Sequence, residues 1–245
     1  MKRVITAACC VAFIVNAAMA YTWHLVGSYP TPVPNPRGFR TGGGLFGYVV
    51  GAGPTPYVYG YQLSTGSIFS SFPVPGGAGA WGITGFSTST MYISNNVTSW
   101  IYRVTRTGSV RSSFQCPVPG PADMNLNWIT TYLDIAIPDL NVVAVVTTTG
   151  SLVRTYTAPG SRPTACCGYQ TTLIADSATH TIYENGVPVI TGIATPVGAD
   201  EEASTDNYYD VWLYVVDDAT DRIYIYWKTV AVAPASLGRV KALFR

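Results

Sequence analysis

One phrase returns along most of this chain, and a repeat of that kind limits the fold more than any composition figure. Copies that open on Gly-Ser and close on Pro and Gly read "GSYPTPVPNPRG" from residue 27, "GSIFSSFPVPGG" from 66, "GSVRSSFQCPVPG" from 108 and "GSLVRTYTAPG" from 150. A degenerate fifth, "GVPVITGIATPVG", starts at 186, so the steps between starts are 39, 42, 42 and 36 residues. A second element lies between the copies: "FGYVVGAGPTPYVYGYQLSTG", "MYISNNVTSWIYRVTRTG", "LDIAIPDLNVVAVVTTTG" and "LIADSATHTIYENG" each read as strand, polar turn, strand, and "VWLYVVDDATDRIYIYW" follows the last copy.

The phrase itself adds a third strand to each unit, and segments such as "AWGITGF", "LNWITTY" and "CCGYQTT" after each Pro-Gly supply a fourth. Four short strands in about 40 residues is the size of one propeller blade. The Gly of each phrase then sits in a hairpin turn, where a positive φ costs nothing without a Cβ. Proline ends the strand that follows, because it has no N–H to donate, and carries the chain extended into the next blade. The first phrase has no hairpin before it and the last hairpin no full phrase after it, so residues 21 to 34 are expected to complete the final blade as its outer strand. The expectation is an all-β propeller of five four-stranded blades closed by an N-terminal strand, with six blades as the alternative.

The pattern G-S-[IV]-x-S-S-F-x-x-P, followed by an aromatic-containing strand, resembles the repeats of exported bacterial β-propellers related to the NHL and similar families, and it spans nearly all of residues 21 to 227. The chain departs from it at 186 to 198, where the Ser and Phe are missing. The resemblance implies an architecture; such propellers serve as binding modules, as scaffolds and in some cases as enzymes.

Residues 1 to 20 read as a secretory signal peptide, with Lys2 and Arg3, an apolar run from Val4 to Val15, and Ala18-Met19-Ala20 as a cleavage site. That run is shorter than the roughly 20 residues of a membrane span. A single propeller domain over 21–234 and a tail over 235–245 are expected, in a secreted, periplasmic or surface-located monomer. The tail, "ASLGRVKALFR", suits either docking on a surface partner or packing on the domain. A net charge of +1 leaves no basic field for nucleic acid or anionic membrane. Three cysteines follow the signal, and a disulfide from Cys116 to Cys166 or Cys167 is the expected use of them in an oxidising compartment.

Two groups of residues are candidates for function. Phe39, Trp81, Trp128, Tyr169 and Tyr208 fall near equivalent points of the first strand in each unit, where they would ring one mouth of the channel and stack on sugars. Asn125, Asn127, Gln170 and Asn207 lie beside them to bond hydroxyls. The competing use of the same rings is packing between blades. Eight of the thirteen acidic residues fall between Asp200 and Asp221. Asp123, Asp200 and Glu201 could hold Ca²⁺ or, as a carboxylate pair, act on a glycosidic bond, whereas "DDATD" at 217 reads as hairpin-turn chemistry. His24 and His180 lie away from any metal-ligand spacing, and no nucleophile or phosphate motif is present. The leading expectation is a non-catalytic module that binds a glycan or an extracellular protein. A carboxylate-dependent glycosidase or lyase, and a structural surface repeat, are the alternatives.

Overall fold

The computed structural model describes residues 21–43, 46–87, 90–127, 129–168, 171–203 and 211–230. Strand β1 (Tyr21–Pro30) stands apart from the four that follow it. β2 (Pro36–Thr41), β3 (Phe46–Gly51), β4 (Tyr57–Gln62) and β5 (Ile68–Pro73) form blade 1, and β6 (Ala80–Ser87), β7 (Thr90–Asn95), β8 (Trp100–Thr105) and β9 (Val110–Gln115) form blade 2. Blade 3 is β10 (Met124–Leu126), β11 (Tyr132–Ile137), β12 (Val142–Thr147) and β13 (Leu152–Thr157). Blade 4 is β14 (Pro163–Cys167), β15 (Leu173–Asp176), β16 (Thr181–Glu184) and β17 (Val187–Thr191). β18 (Pro196–Ala203), β19 (Val211–Asp217) and β20 (Arg222–Val230) complete the order, and β1 pairs with β20 as the outer strand of blade 5. This is the expected five-bladed propeller with its expected closure. Blade 4, whose phrase is degenerate, is complete but has shorter strands.

The hairpin glycines behave as their place in the phrase predicts. Gly66, Gly108, Gly150 and Gly186 have φ of +71°, +84°, +96° and +83°. In blades 2 and 3, the Thr105 and Thr147 hydroxyls accept the N–H of Ser109 and Ser151, so the Thr-x-Thr-Gly-Ser wording satisfies the backbone of its own turn. At the opposite end of the sheet in blades 2, 4 and 5, one side chain does similar work. Asn95 accepts from the Val97 and Thr98 N–H, Asp176 from Ala178 and Thr179, and Asp217 from Ala219. Each also ties the hairpin to the incoming link, Asp176 through Ser161 and Arg162, and Asp217 through Thr195. "DDATD" is therefore turn chemistry, as read from its alignment.

Two expected inner strands are displaced. Blade 3's strand ends at Leu126, because the Asn127 side chain accepts the N–H of Ile129 and Thr130 and bends the chain into a turn. Blade 4's strand ends at Cys167, followed by Gly168 at φ +132°.

Between blades lies the core. Alternate residues of one strand face opposite neighbours: Tyr48 and Val50 join Ile83, Met91 and Ile93 of blade 2, whereas Val49 joins Val197, Tyr214 and Val216 of blade 5. Three further clusters fill the interfaces of blades 2 and 3, 3 and 4, and 4 and 5. Outer strands are largely exposed, which is why their wording is Ser, Arg and Thr.

A buried ion pair reinforces the closure. Lys228 on β20 bonds to Glu184 on β16, both side chains 9% exposed. Glu184 also accepts from Trp23 Nε1 on β1 at 3.1 Å and from Thr171 at 3.0 Å. Burial works against its charge, yet the bonds from Lys228, Trp23 and Thr171 hold the carboxyl below its usual range. Removing one partner strands the other charge, so Lys228→Met should lower unfolding stability by about 3 kcal/mol. Urea titration checks this, and an unchanged midpoint would mean that the pair does not hold the closing blade.

Candidate functional site

The inner strands meet at the axis, and their registers define which residues face one another there. Phe39, Ile83, Met124 and Ala199 pair with Val49, Ile93, Ile135 and Val215 of their second strands. One residue earlier in each strand stand Gly38, Gly82, Asp123 and Gly198. The register shifts at this point in blades 1, 2, 4 and 5, and in blade 3 both Ala122 and Asp123 bond to Ala136. The resulting bulge pushes the backbone toward the axis. A Cβ on Gly38 would lie 2.5 Å from Gly82 Cα, and one on Gly198 3.0 Å from Gly38 Cα. Only residues without a side chain fit so close an approach.

Asp123 is the exception and occupies the axis. Its Oδ1 accepts from the Ile83 N–H in blade 2 and its Oδ2 from the Ala199 N–H in blade 5, each at 3.0 Å. Blades 3 and 5 are not neighbours, so the carboxylate bridges across the ring. It is 0% exposed. Burial pushes this carboxyl well above its usual range, against the N–H groups of Ala199, Ile83 and Met124, and the charge of Asp200 adds to the rise.

Trp81 seals the same axis one residue further along. Its Nε1 reaches across to the Val197 carbonyl of blade 5 at 3.3 Å, and the Arg37 guanidinium lies 5.0 Å from its ring centre. Arg37 in turn donates to Asp218 Oδ2 at 2.5 Å. Asp218 Oδ1 is buried without a hydrogen-bond partner among the described residues. Trp81 remains half-buried, so one end of the axis presents an indole, a guanidinium and a carboxylate together.

The opposite mouth is acidic. Asp200, 9% exposed, accepts from the Thr41 N–H at 2.7 Å, and Glu202 accepts from the Thr41 hydroxyl at 2.9 Å. Glu201 is half-buried beside them. Burial pushes the Asp200 carboxyl up to about 6, opposed by Arg40 and the Thr41 N–H and assisted by Glu202. Among the described residues, no three His, Cys, Asp or Glu side chains converge as a metal site. Asp123 gives both its oxygens to backbone donors, Ile83 and Ala199.

The expected circle of aromatics does not form at the two positions described. Phe39 is 1% exposed and packs on Tyr214, ring centres 5.8 Å apart, which gives it no face for a sugar. Trp81 corresponds to Arg37 rather than to Phe39, two residues away in the register. Trp128, Tyr169 and Tyr208, with Gln170 and Asn207, lie outside the described residues, as does the 235–245 tail. Asn125 donates to the Gly168 carbonyl and Asn127 caps its own turn. Arg37 and Asp218 were not anticipated. Aligning the triplets "RGF", "WGI", "ADM" and "VGA" on their middle residue would have shown Asp123 in a glycine's place and Arg37 opposite Trp81.

The disulfide expectation needs correcting. Cys116, Cys166 and Cys167 are free, buried thiols. Cys116 packs between blades 2 and 3 and Cys166 between blades 3 and 4, on opposite faces of one sheet, while Cys167 turns to the interface of blades 4 and 5. Neighbouring positions in a strand point apart, so the sequence adjacency of Cys166 and Cys167 brings neither to Cys116.

Comparison with solved structures supports the architecture. Virginiamycin B lyase from Staphylococcus aureus, solved as a catalytically inactive variant with quinupristin, is similar with a TM-score of 0.50 at 18% identity over 80% of this chain. Its selenomethionine-substituted form gives 0.51. A protein of unknown function from Bacteroides thetaiotaomicron gives 0.53 at 15% identity over 79% of this chain. This chain covers 66% of the lyase chains and 58% of the Bacteroides protein. No protein-family model matches the sequence, and no curated protein matches it.

Asp200 also predicts a pH response. A folded pKa of about 6, above the unfolded 3.8, favours the folded state at low pH and loses that contribution as pH rises through 6. Wild type should therefore lose about 1 kcal/mol of this contribution between pH 5 and 7.5. Asp200→Asn should remove that component. Urea midpoints of the two proteins across this range provide the measurement, and parallel curves would contradict the assignment.

Proposed function

We propose that the protein is an exported, non-catalytic binding module whose ligand is a glycan held at the axis end formed by Trp81, Arg37 and Asp218. The observation that carries this reading is the half-buried indole of Trp81 beside a guanidinium that Asp218 Oδ2 holds over it. An apolar ring face with planar polar groups at its edge suits a sugar, which presents C–H patches and hydroxyls together. The repeat wording that resembles exported NHL-like propellers, and the leader-like first twenty residues, support an extracellular or periplasmic setting.

An enzymatic reading has less support. The lyase neighbour was made catalytically inactive by replacing a histidine with alanine. Here His24 lies on the outer strand β1, bonded to Thr229, and His180 lies in a blade 4 hairpin, bonded to the Ala194 carbonyl. Asp123, one half of the carboxylate pair considered for hydrolysis, has no surface that a substrate could reach.

Screening residues 21–245 on a broad glycan array, with and without calcium, tests the proposal. Saturable binding is expected, weakened at least tenfold, or about 1.4 kcal/mol, by Arg37→Ala and by Trp81→Ala. If Trp81→Ala unfolds while Arg37→Ala and Asp218→Ala bind normally, packing is the indole's role and the glycan seat is wrong. Calcium dependence would direct attention to Asp200, Glu201 and Glu202. Silence in both conditions would favour an extracellular protein as partner, sought by pull-down.

A further inference from the structure

Blade 1 carries a feature that its neighbour lacks. Tyr48, Gly60 and Ser70 form one row across β3, β4 and β5, and the corresponding row in blade 2 runs Tyr92, Arg103 and Ser112. With no side chain at Gly60, two rings settle over the strand: a Cβ there would lie 2.8 Å from Phe69 and 2.9 Å from Tyr48. A Cβ at Gly42 would likewise collide with the Phe46 ring. The three rings are mutually perpendicular, with interplanar angles of 87° and centres 5.8 to 6.4 Å apart. Such edge-to-face packing is favourable and fixes the corner they make.

That corner opens into a cavity of about 320 Å³ lined by Phe46, Gln62, Phe69 and, from the blade 2 hairpin, Arg106. The volume is at the lower end for small-molecule sites, roughly 300–1,000 Å³. Arg106 sits 5.5 Å from the Phe69 ring centre and has no ion-pair partner among the described residues. Behind the wall, the Tyr48 hydroxyl, in a residue 1% exposed, and the Ser70 hydroxyl are buried without partners among the described residues. A polar group left in that state costs free energy unless something bonds to it.

We infer that this cleft is a second ligand site, separate from the axis, for an aromatic ring bearing a carboxylate. A third ring completes the edge-to-face corner of Phe46 and Phe69. The carboxylate takes the two-pronged bond that a guanidinium already oriented over an aromatic face offers. The Gln62 amide supplies donor and acceptor at the rim. Two sources carry this chemistry: a free aromatic acid, or the C-terminal aromatic residue of a peptide.

Saturation-transfer NMR titration of the folded 21–245 protein decides the matter, with phenylacetate, phenylacetamide and N-acetylphenylalanine as probes. Phenylacetate should bind with a dissociation constant on the order of 1 mM, and phenylacetamide about fivefold more weakly. Arg106→Gln, at an exposed position where folding is not at risk, should abolish the preference for the acid. Phe69→Leu should weaken both probes. Tighter binding of N-acetylphenylalanine would identify a peptide terminus, and tighter binding of phenylacetate a free acid; either supports the site. Equal binding of acid and amide, insensitivity to both variants, or no saturation up to about 20 mM overturns it. Neither variant touches Trp81 or Arg37, so a failed glycan assay and a failed cleft are separately visible.

Discussion

Five twisted sheets placed edge-on to one axis leave almost no room between their inner strands, and most of the site follows from that crowding. The bulge in each inner strand brings backbone against backbone at Gly38, Gly82 and Gly198, where any side chain would collide. Inner strands are also sheet edges, so their inward N–H groups have no strand to pair with. Asp123 resolves this for two of them at once, Ile83 and Ala199. Its cost is a desolvated carboxyl without an adjacent cation, offset by three backbone donors. Asp123 thus stands at the waist, and Trp81 crosses the axis one residue further along to reach blade 5.

A single four-stranded sheet with both faces apolar cannot be stable in water, so each blade depends on its two neighbours. The consequence is that closure matters as much as any one blade. β1 and β20 come from opposite ends of the described chain, and the Lys228, Glu184 and Trp23 network ties both to blade 4. A neutral hydrophobic seam could supply comparable stability. The ion pair adds a geometric demand, since the Glu184 carboxylate accepts from Lys228 on β20 and Trp23 on β1 as well as from Thr171 of its own blade.

The architecture was legible because blade punctuation is local chemistry. A Gly that must adopt positive φ, a proline that must end a strand and an Asn or Asp that must cap a hairpin leave their marks at fixed spacing, and all three classes stand where the repeat put them. Site residues were less legible because they depend on register. An alignment of the inner strands that slips by two residues equates Phe39 with Trp81, although one is core and the other crosses the axis. In blades 3 and 4 the expected inner strands are displaced for another reason, because Asn127 turns the chain early and Gly168 ends its strand, neither of which is visible in hydrophobic pattern alone. Cysteine proximity failed for a related reason: sequence separation says how far apart two blades are, but not which face of the intervening sheet a thiol occupies.

In a repeat protein, side chains that serve the fold recur, so chemistry particular to this molecule should be sought where the blades differ. Asp123 replaces a glycine, Trp81 and Arg37 stand where blade 3 has Ala122, and Gly60 with Phe69 replaces the arginines of blade 2. Only the first of these has a complete structural account, because every bond Asp123 makes closes the ring. Trp81 contributes to that closure through one nitrogen, yet stays half-buried with the Arg37 guanidinium over its ring and Asp218 bonded to that guanidinium. The Gly60 row departs from blade 2 in another way: with no side chain there, the Phe69 and Tyr48 rings take the space that an arginine stem fills in blade 2. A departure that opens space and leaves aromatic surface exposed, as at Phe69, is unfavourable for the fold alone, and binding a ligand in the proposed cleft is what would offset it.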